Sequence, residues 1–192
     1  MNTEKKVIIG VALLTMVILG GGVWWISSQG AREQAKLTRP LVGEAIPDQG
    51  ANHIPAGQKV DYNSNPPTSG PHYATSQPAG IYDKEIPDGY LIHSMEHGAV
   101  ILWYKSGSTE NQAGGTESAK VAGLSSQEID RLKQIFNSVP VRKKIMVPRA
   151  GLDTLLALTS WDRLLKLQTI DENQIRSFME SNEDRGPEKA PI

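Results

Sequence analysis

The chain of 192 residues contains no cysteine. This absence excludes disulfide bonds, zinc sites built on thiolates, iron–sulfur clusters and a cysteine nucleophile. An excess of charge of either sign is also missing, because 20 basic residues face 21 acidic ones and the formal net charge is −1. That balance argues against a protein whose whole surface binds nucleic acid. The sequence also shows no glycine-rich phosphate loop, G-x-S-x-G elbow or dinucleotide fingerprint.

One long hydrophobic run is present, from residue 7 to residue 26 (VIIGVALLTMVILGGGVWWI). A run of about 20 apolar residues is enough to cross a hydrocarbon core of roughly 30 Å. Trp24 and Trp25 stand at its far end, where indole rings favour the membrane interface. The run is longer than that of a cleavable signal peptide and is followed by no small-residue cleavage site. We therefore predict an uncleaved transmembrane anchor, and a buried core helix is the alternative.

The charges that flank the hydrophobic run are mixed: Lys5 and Lys6 precede it, whereas Arg32, Lys36 and Arg39 follow it. A short N-terminal tail usually stays inside, and long domains are translocated largely regardless of their charge. We therefore expect a single-pass protein of the cell membrane with an extracytoplasmic C-terminal domain. The sequence suggests no nucleic-acid partner and identifies no protein partner.

Composition and periodicity divide the chain into segments. We predict a short N-terminal tail (1–6), the transmembrane anchor (7–26), a juxtamembrane stalk (27–47), a globular domain (48–181) and a mobile tail (182–192). Within the domain, the patterns predict strands at 99–105, 144–147, 154–161 and 164–167, a flexible loop at 107–115, and helices beginning at Ser125 and Asp171. These elements predict a small mixed α+β domain with a short sheet and two or three helices. The domain follows the N-terminal transmembrane helix in the chain.

The histidines are confined to one stretch of the chain: His53, His72, His93 and His97. Neutral imidazole is the commonest protein ligand for metal ions. His72 follows the segment 65–71 (NPPTSGP), in which three prolines restrict the backbone and one glycine permits a tight turn. A rigid loop of this kind loses little entropy when a ligand binds. Clustering in the sequence therefore predicts a metal site, although histidines that only brace a loop are the simpler alternative.

The segment 93–97 reads H-S-M-E-H. In a helix, His93 and His97 would be neighbours one turn apart and could share one ion, with Gly98 ending the helix. In a strand, His93, Met95 and His97 would point to one face instead. We favour a short helical turn.

Glu96 lies beside His97 and has several possible roles: metal ligand, residue that orients a ligand, general base, or capping residue. The same five residues match H-x-x-E-H, in which two histidines bind zinc and the glutamate is a general base. That motif belongs on a long helix, whereas this segment lies between Gly89 and Gly98.

Several motifs together resemble a known bacterial family. They are H-I-P-x-G (53–57), Asp61-Tyr62, N-P-P-T-S-G-P-H (65–72), Gly-x-Tyr (80–82), H-x-M-E-H-G (93–98), Trp103-Tyr104 and R-G-P-E (185–188). From about residue 40 to residue 188, the chain is similar to the domain of unknown function 3105 family. The resemblance implies a membrane-anchored, extracytoplasmic domain and places the family's motif histidines on the four named above, but implies no activity. Met95 stands where we expect leucine in many members; this difference is either neutral or adds a thioether ligand that would favour Cu(I).

We favour a binding module in which His72, His93 and His97 hold a transition metal. His53 or Glu96 would complete or orient the site, and Met95 is a further candidate ligand. Copper or zinc is preferred to magnesium or calcium because imidazole suits the former pair. The first alternative is a metal-dependent hydrolase with Glu96 as general base. The second is an envelope or interaction protein without metal, whose histidine side chains point apart and bind backbone atoms.

Overall fold

A computed structural model describes residues 2–107 and 123–192, which belong to two compact units, Met1–Arg39 and Pro40–Ile192. The first unit is helix α1 (Thr3–Thr38). Within its Thr3–Ser28 part, an 18-residue stretch has a mean hydropathy of 2.3, and large apolar side chains such as Met16 and Trp24 are exposed. The helix is therefore long and apolar enough to span a membrane, a property that signal sequences share.

The second unit begins at Pro40, within the segment predicted as a stalk, whereas α1 covers the earlier part of that segment. Strand β1 (Glu44–Ala45) pairs antiparallel with strand β8 (Arg163–Leu167). The Val42 backbone N–H also donates a hydrogen bond to Asn182 Oδ1 at 3.0 Å. These strand and side-chain hydrogen bonds attach residues 42–45 to the folded domain.

The described residues of the second unit form one six-stranded mixed sheet and one two-stranded sheet. The six-stranded sheet has the order β1-β8-β7-β5-β6-β4, and the two-stranded sheet pairs β2 with β3 in parallel. The remaining strands are β2 (His53–Ile54), β3 (His72–Tyr73), β4 (Gly80–Ile81), β5 (Val100–Tyr104), β6 (Lys144–Pro148) and β7 (Leu156–Ser160). The helices are α2 (Asp88–Glu96), α3 (Ser126–Ser138) and α4 (Glu172–Asn182).

Strand β5 lies inside the sheet, parallel to β6 and antiparallel to β7, and all five of its residues are buried. Its side chains alternate between two hydrophobic clusters, as the period of two in a strand requires. Leu102 packs with Phe136 of α3 and Phe178 of α4, whereas Trp103 packs with Leu91 and other residues of α2. The sheet is therefore covered by α3 and α4 on one face and by α2 on the other.

The predicted α+β class is confirmed, together with the strands that correspond to β5–β8 and the two helices that correspond to α3 and α4. Ser125 and Glu128 form the predicted capping box, and Asp171 accepts a hydrogen bond from Gln174 N at 3.0 Å. Beyond residue 107, the predicted loop at 107–115 lies outside the described residues.

The C-terminal segment (182–192), predicted as a mobile tail, packs against the domain in the structure. Asn182 is fully buried, and Glu183 Oε1 accepts a hydrogen bond from Lys143 N at 2.8 Å. The Asp184 N–H donates to the Gly98 carbonyl oxygen at 2.8 Å. The polar composition of this segment suggested exposure to solvent, whereas its backbone N–H groups donate hydrogen bonds to carbonyl oxygens at the end of α2.

Candidate metal centre

Helix α2 contains the first four residues of the H-S-M-E-H segment and ends before His97, so the predicted helical turn is confirmed. Leu91, Ile92 and Met95 are fully buried in the hydrophobic cluster that includes Trp103. This anchoring leaves His93 and Glu96 on another side of the helix. His97 is the C-cap residue, and Gly98 follows with φ +88°, a left-handed conformation that glycine adopts readily.

The two-stranded sheet brings the other two histidines to the same place. Strands β2 and β3 are parallel, and His53 is the register partner of His72. The His72 N–H donates to the Asn52 carbonyl oxygen at 3.0 Å, and Gly70 N–H donates to the Gly50 carbonyl oxygen at 2.9 Å. The rings of His53 and His72 consequently lie with their centroids 5.1 Å apart.

Four side chains converge on one point. His53, His72, His93 and Glu96 each offer a ligand atom, and these atoms all lie within 4.8 Å of one another. His72 Nε2 is 2.9 Å from Glu96 Oε2, and His53 Nε2 is 3.9 Å from the same oxygen. His72 is fully buried and His93 and Glu96 are 6% and 7% exposed, whereas the His53 side chain is 51% exposed. The cluster could therefore hold a metal ion that solvent reaches from the His53 side.

Three of the rings are oriented by backbone carbonyl oxygens. The Nδ1 atoms of His72, His93 and His97 lie 2.8, 2.6 and 3.0 Å from the carbonyl oxygens of Gly70, Tyr73 and Pro191. A carbonyl oxygen only accepts hydrogen bonds, so each Nδ1 carries the proton. In the neutral ring, Nε2 then holds a free lone pair, the arrangement usual for metal-bound histidine.

The Nε2 atoms of His93 and His97 lie 3.1 Å apart. With both Nδ1 atoms protonated, two neutral rings would direct two lone pairs at each other, and either a proton on one Nε2 or a bound cation would relieve this repulsion. Burial lowers the pKa of His93. The hydrogen bond to the Tyr73 carbonyl oxygen opposes this shift, and the nearby His97 and His72 rings add to it. A lowered pKa keeps His93 neutral at pH 7, which is the form that binds metals.

The C-terminal segment contributes a further carboxylate to this region. The Glu188 N–H donates to the Glu96 carbonyl oxygen at 3.0 Å, and Glu188 Oε2 lies 3.3 Å from His97 Nε2. Glu96, His97 and Glu188 form a second group whose ligand atoms lie within 4.8 Å of one another. A Cβ atom at Gly186 would lie 2.1 Å from the Glu96 carbonyl oxygen, so glycine is required for this close approach.

The structure gathers most of the residues singled out in the sequence. His53, His72, His93 and Glu96 share the first group and His97 joins Glu96 in the second, whereas Met95 is buried in the core. The histidine side chains converge, although three also bind backbone oxygens as the non-metal alternative required. Sequence reasoning missed Glu188, for which the run R-G-P-E was the available signal.

Comparison with known proteins gives one match. The family described as "Protein of unknown function (DUF3105)" matches residues 53–191, a range that contains the four histidines, Glu96 and Glu188. Neither the curated proteins nor the solved structures provide a match to the chain.

Proposed function

The chain belongs to the DUF3105 family, whose description names no activity, and we propose that its folded domain binds a copper or zinc ion through His53, His72, His93 and Glu96. The observation that carries this proposal is the convergence of three imidazoles and one carboxylate within 4.8 Å. Three nitrogen ligands and one oxygen ligand are a suitable set for a tetrahedral ion.

The distances are compatible with coordination. Two ligands of one tetrahedral zinc ion, each about 2.1 Å from it, lie roughly 3.4 Å apart. The 2.9 Å separation of His72 Nε2 and Glu96 Oε2 is that of a hydrogen bond in the metal-free site, and a small outward movement of the two groups would admit an ion. The 3.9 Å separation of His53 Nε2 and Glu96 Oε2 closes to the tetrahedral spacing through a small movement of the exposed His53 ring.

The donor set favours copper or zinc over magnesium or calcium. Imidazole nitrogen suits the first two ions, whereas the other two take oxygen ligands. Met95 is fully buried among apolar residues, so the proposed ligand set omits the thioether that would have favoured Cu(I). Glu96 serves as a ligand rather than a general base, because its Oε2 lies beside a ligand nitrogen.

The proposed setting of the site is the outer face of a membrane. Helix α1 supports anchoring, because Thr3–Ser28 has the length and hydropathy of a membrane span. Lys5 and Lys6 precede this span and favour the inside of the cell for its N-terminal end, so we propose that the domain lies outside. We propose that the domain handles or senses metal ions at the cell surface.

Metal analysis of the full-length chain tests the proposal. The untagged protein in detergent is stripped with a chelator, equilibrated with zinc or with copper(II), and separated from free metal. We expect tight binding of zinc and copper in the wild type. His53→Ala and Glu96→Gln are expected to weaken binding by more than about tenfold, since even the loss of a residue that only hydrogen-bonds to a ligand weakens metal binding by about 10- to 100-fold.

Glu172→Gln is the matched control for Glu96→Gln, because the Glu172 side chain is 50% exposed in α4 and pairs with Arg176. His53→Ala removes an exposed ring and so leaves the core packing intact. The proposal fails if the wild type retains neither metal. It also fails if both ligand variants bind metal as tightly as the control does.

A further inference from the structure

Two potential metal ligands lie beside the group of His53, His72, His93 and Glu96 and are not part of it. Its three imidazole nitrogens and one carboxylate oxygen already fill the four positions of a tetrahedral ion. His97 and Glu188 stand directly beside it, with His97 Nε2 only 3.1 Å from His93 Nε2. His97 Nε2 is also 3.3 Å from Glu188 Oε2. Glu96 belongs to both groups, and a carboxylate has two oxygens with which to bind two ions.

We propose a second metal position, formed by Glu96, His97 and Glu188, so that the domain holds two divalent ions bridged by the Glu96 carboxylate. This inference rests on the proposed function, because the bridging residue is a ligand of the first ion. Ions in two-metal sites lie about 3.5–4 Å apart, a spacing that a bridging carboxylate spans. The second group has one imidazole and two carboxylates, ligands that zinc also accepts.

The contacts around the second group hold its ligands in place. His97 Nδ1 donates to the Pro191 carbonyl oxygen at 3.0 Å, which directs Nε2 toward Glu188. Lys143 Nζ donates to the carbonyl oxygens of His97 and Ala190 at 2.7 and 2.8 Å. This lysine therefore links the end of α2 to the C-terminal segment. The second position is built from two distant parts of the chain before any ion binds.

The position also has solvent access, which an exchangeable ion requires. The Glu188 side chain is 56% exposed, whereas the His97 side chain is 12% exposed. An ion therefore enters from the exposed Glu188 side and then contacts the largely buried His97 imidazole. The first position opens on the His53 side, so the two ions have separate routes of entry.

Zinc stoichiometry in the full-length chain tests the second position. We expect about two zinc ions per wild-type chain and about one per Glu188→Gln chain, because the amide keeps the shape but loses the charged ligand. Glu172→Gln, another exposed glutamate, is the control and is expected to retain two. Copper(II) loading gives a second readout, since ions about 4 Å apart produce a spin-coupled paramagnetic resonance spectrum.

The outcomes separate this inference from the proposed function. One ion in both the wild type and Glu188→Gln overturns the second position and leaves the first intact. Two ions in Glu188→Gln, or a copper spectrum of isolated ions in the fully loaded wild type, also overturn it. Absence of metal from the wild type overturns both proposals.

Discussion

Two regions of the folded domain are built in different ways. From residue 40 to residue 98, the regular structure consists of strands of two residues each and the nine-residue helix α2. From residue 100 to residue 182, the described part contains four strands of five residues and two longer helices. The candidate ligands lie in the first region, apart from Glu188 in the C-terminal segment. The regular region supplies most of the core, and the irregular region supplies most of the candidate ligands.

In the first region, where the strands are short, hydrogen bonds between side chains and backbone atoms hold the loops together. Tyr62 Oη donates to the Pro71 carbonyl oxygen at 2.8 Å, and Asn65 Nδ2 donates to the Gly151 carbonyl oxygen at 2.8 Å. Ser94 Oγ donates to the Gln77 carbonyl oxygen at 2.9 Å. Each such bond contributes about 1 kcal/mol, so we expect this region to open at lower free energy than the central strands. A bound ion is therefore expected to stabilise the first region most.

The largest effect is expected from a core substitution in the regular region. Leu158→Ala in β7 removes a fully buried side chain and is expected to lower the free energy of unfolding by about 2–5 kcal/mol. Urea unfolding followed by circular dichroism measures this change. Ile81→Ala, at a position 37% exposed, is the control with a smaller expected loss. If Leu158→Ala lowers the free energy of unfolding by less than Ile81→Ala does, the regular region is not the more stable part of the domain.

Metal addition is expected to act on the irregular region. Zinc at a hundred times its dissociation constant stabilises the folded state by about 2.7 kcal/mol. We expect amide hydrogen exchange to slow most between residues 50 and 98, where the ligands lie. Glu96→Gln is expected to lose this response. Protection that rises equally in β5–β8 and in the first region would contradict the proposed division.

The smallest effect is expected from one of the contacts that brace the first region. Tyr62→Phe removes the hydrogen bond to the Pro71 carbonyl oxygen and should cost about 1 kcal/mol of unfolding free energy. Burial, with smaller contributions from Asp88 and Tyr73, raises the pKa of Tyr62 from 10.0 to about 12. The neutral phenol therefore stabilises the fold below pH 10, and this contribution is lost as the pH rises toward 12.

Denaturant midpoints measured between pH 8 and pH 12 test this dependence. The wild type is expected to lose more stability above pH 10 than Tyr62→Phe, whose ring has no ionisable group. Parallel curves for the two proteins would show that Tyr62 does not couple to folding.

Local patterns in the sequence were sufficient for several elements. The apolar run at β5, the capping box at Ser125 and the cap at Asp171 are signals carried by residues close together in the chain. The pairing of His93 with His97 also follows from one turn of a helix. These predictions succeeded because the interactions that decide them span four residues or fewer, or depend on apolar character alone.

The sequence alone determined that four histidines and a neighbouring glutamate could meet in one short region. Which of them do so depends on contacts between distant parts of the chain. The parallel pairing of β2 with β3 places His53 beside His72, and the return of the C-terminal segment places Glu188 beside His97. Both placements depend on backbone hydrogen bonds, and the second also depends on close contacts that only glycine allows, at Gly98 and Gly186. Residues distant in the chain are brought together by these contacts, and no local periodicity encodes them.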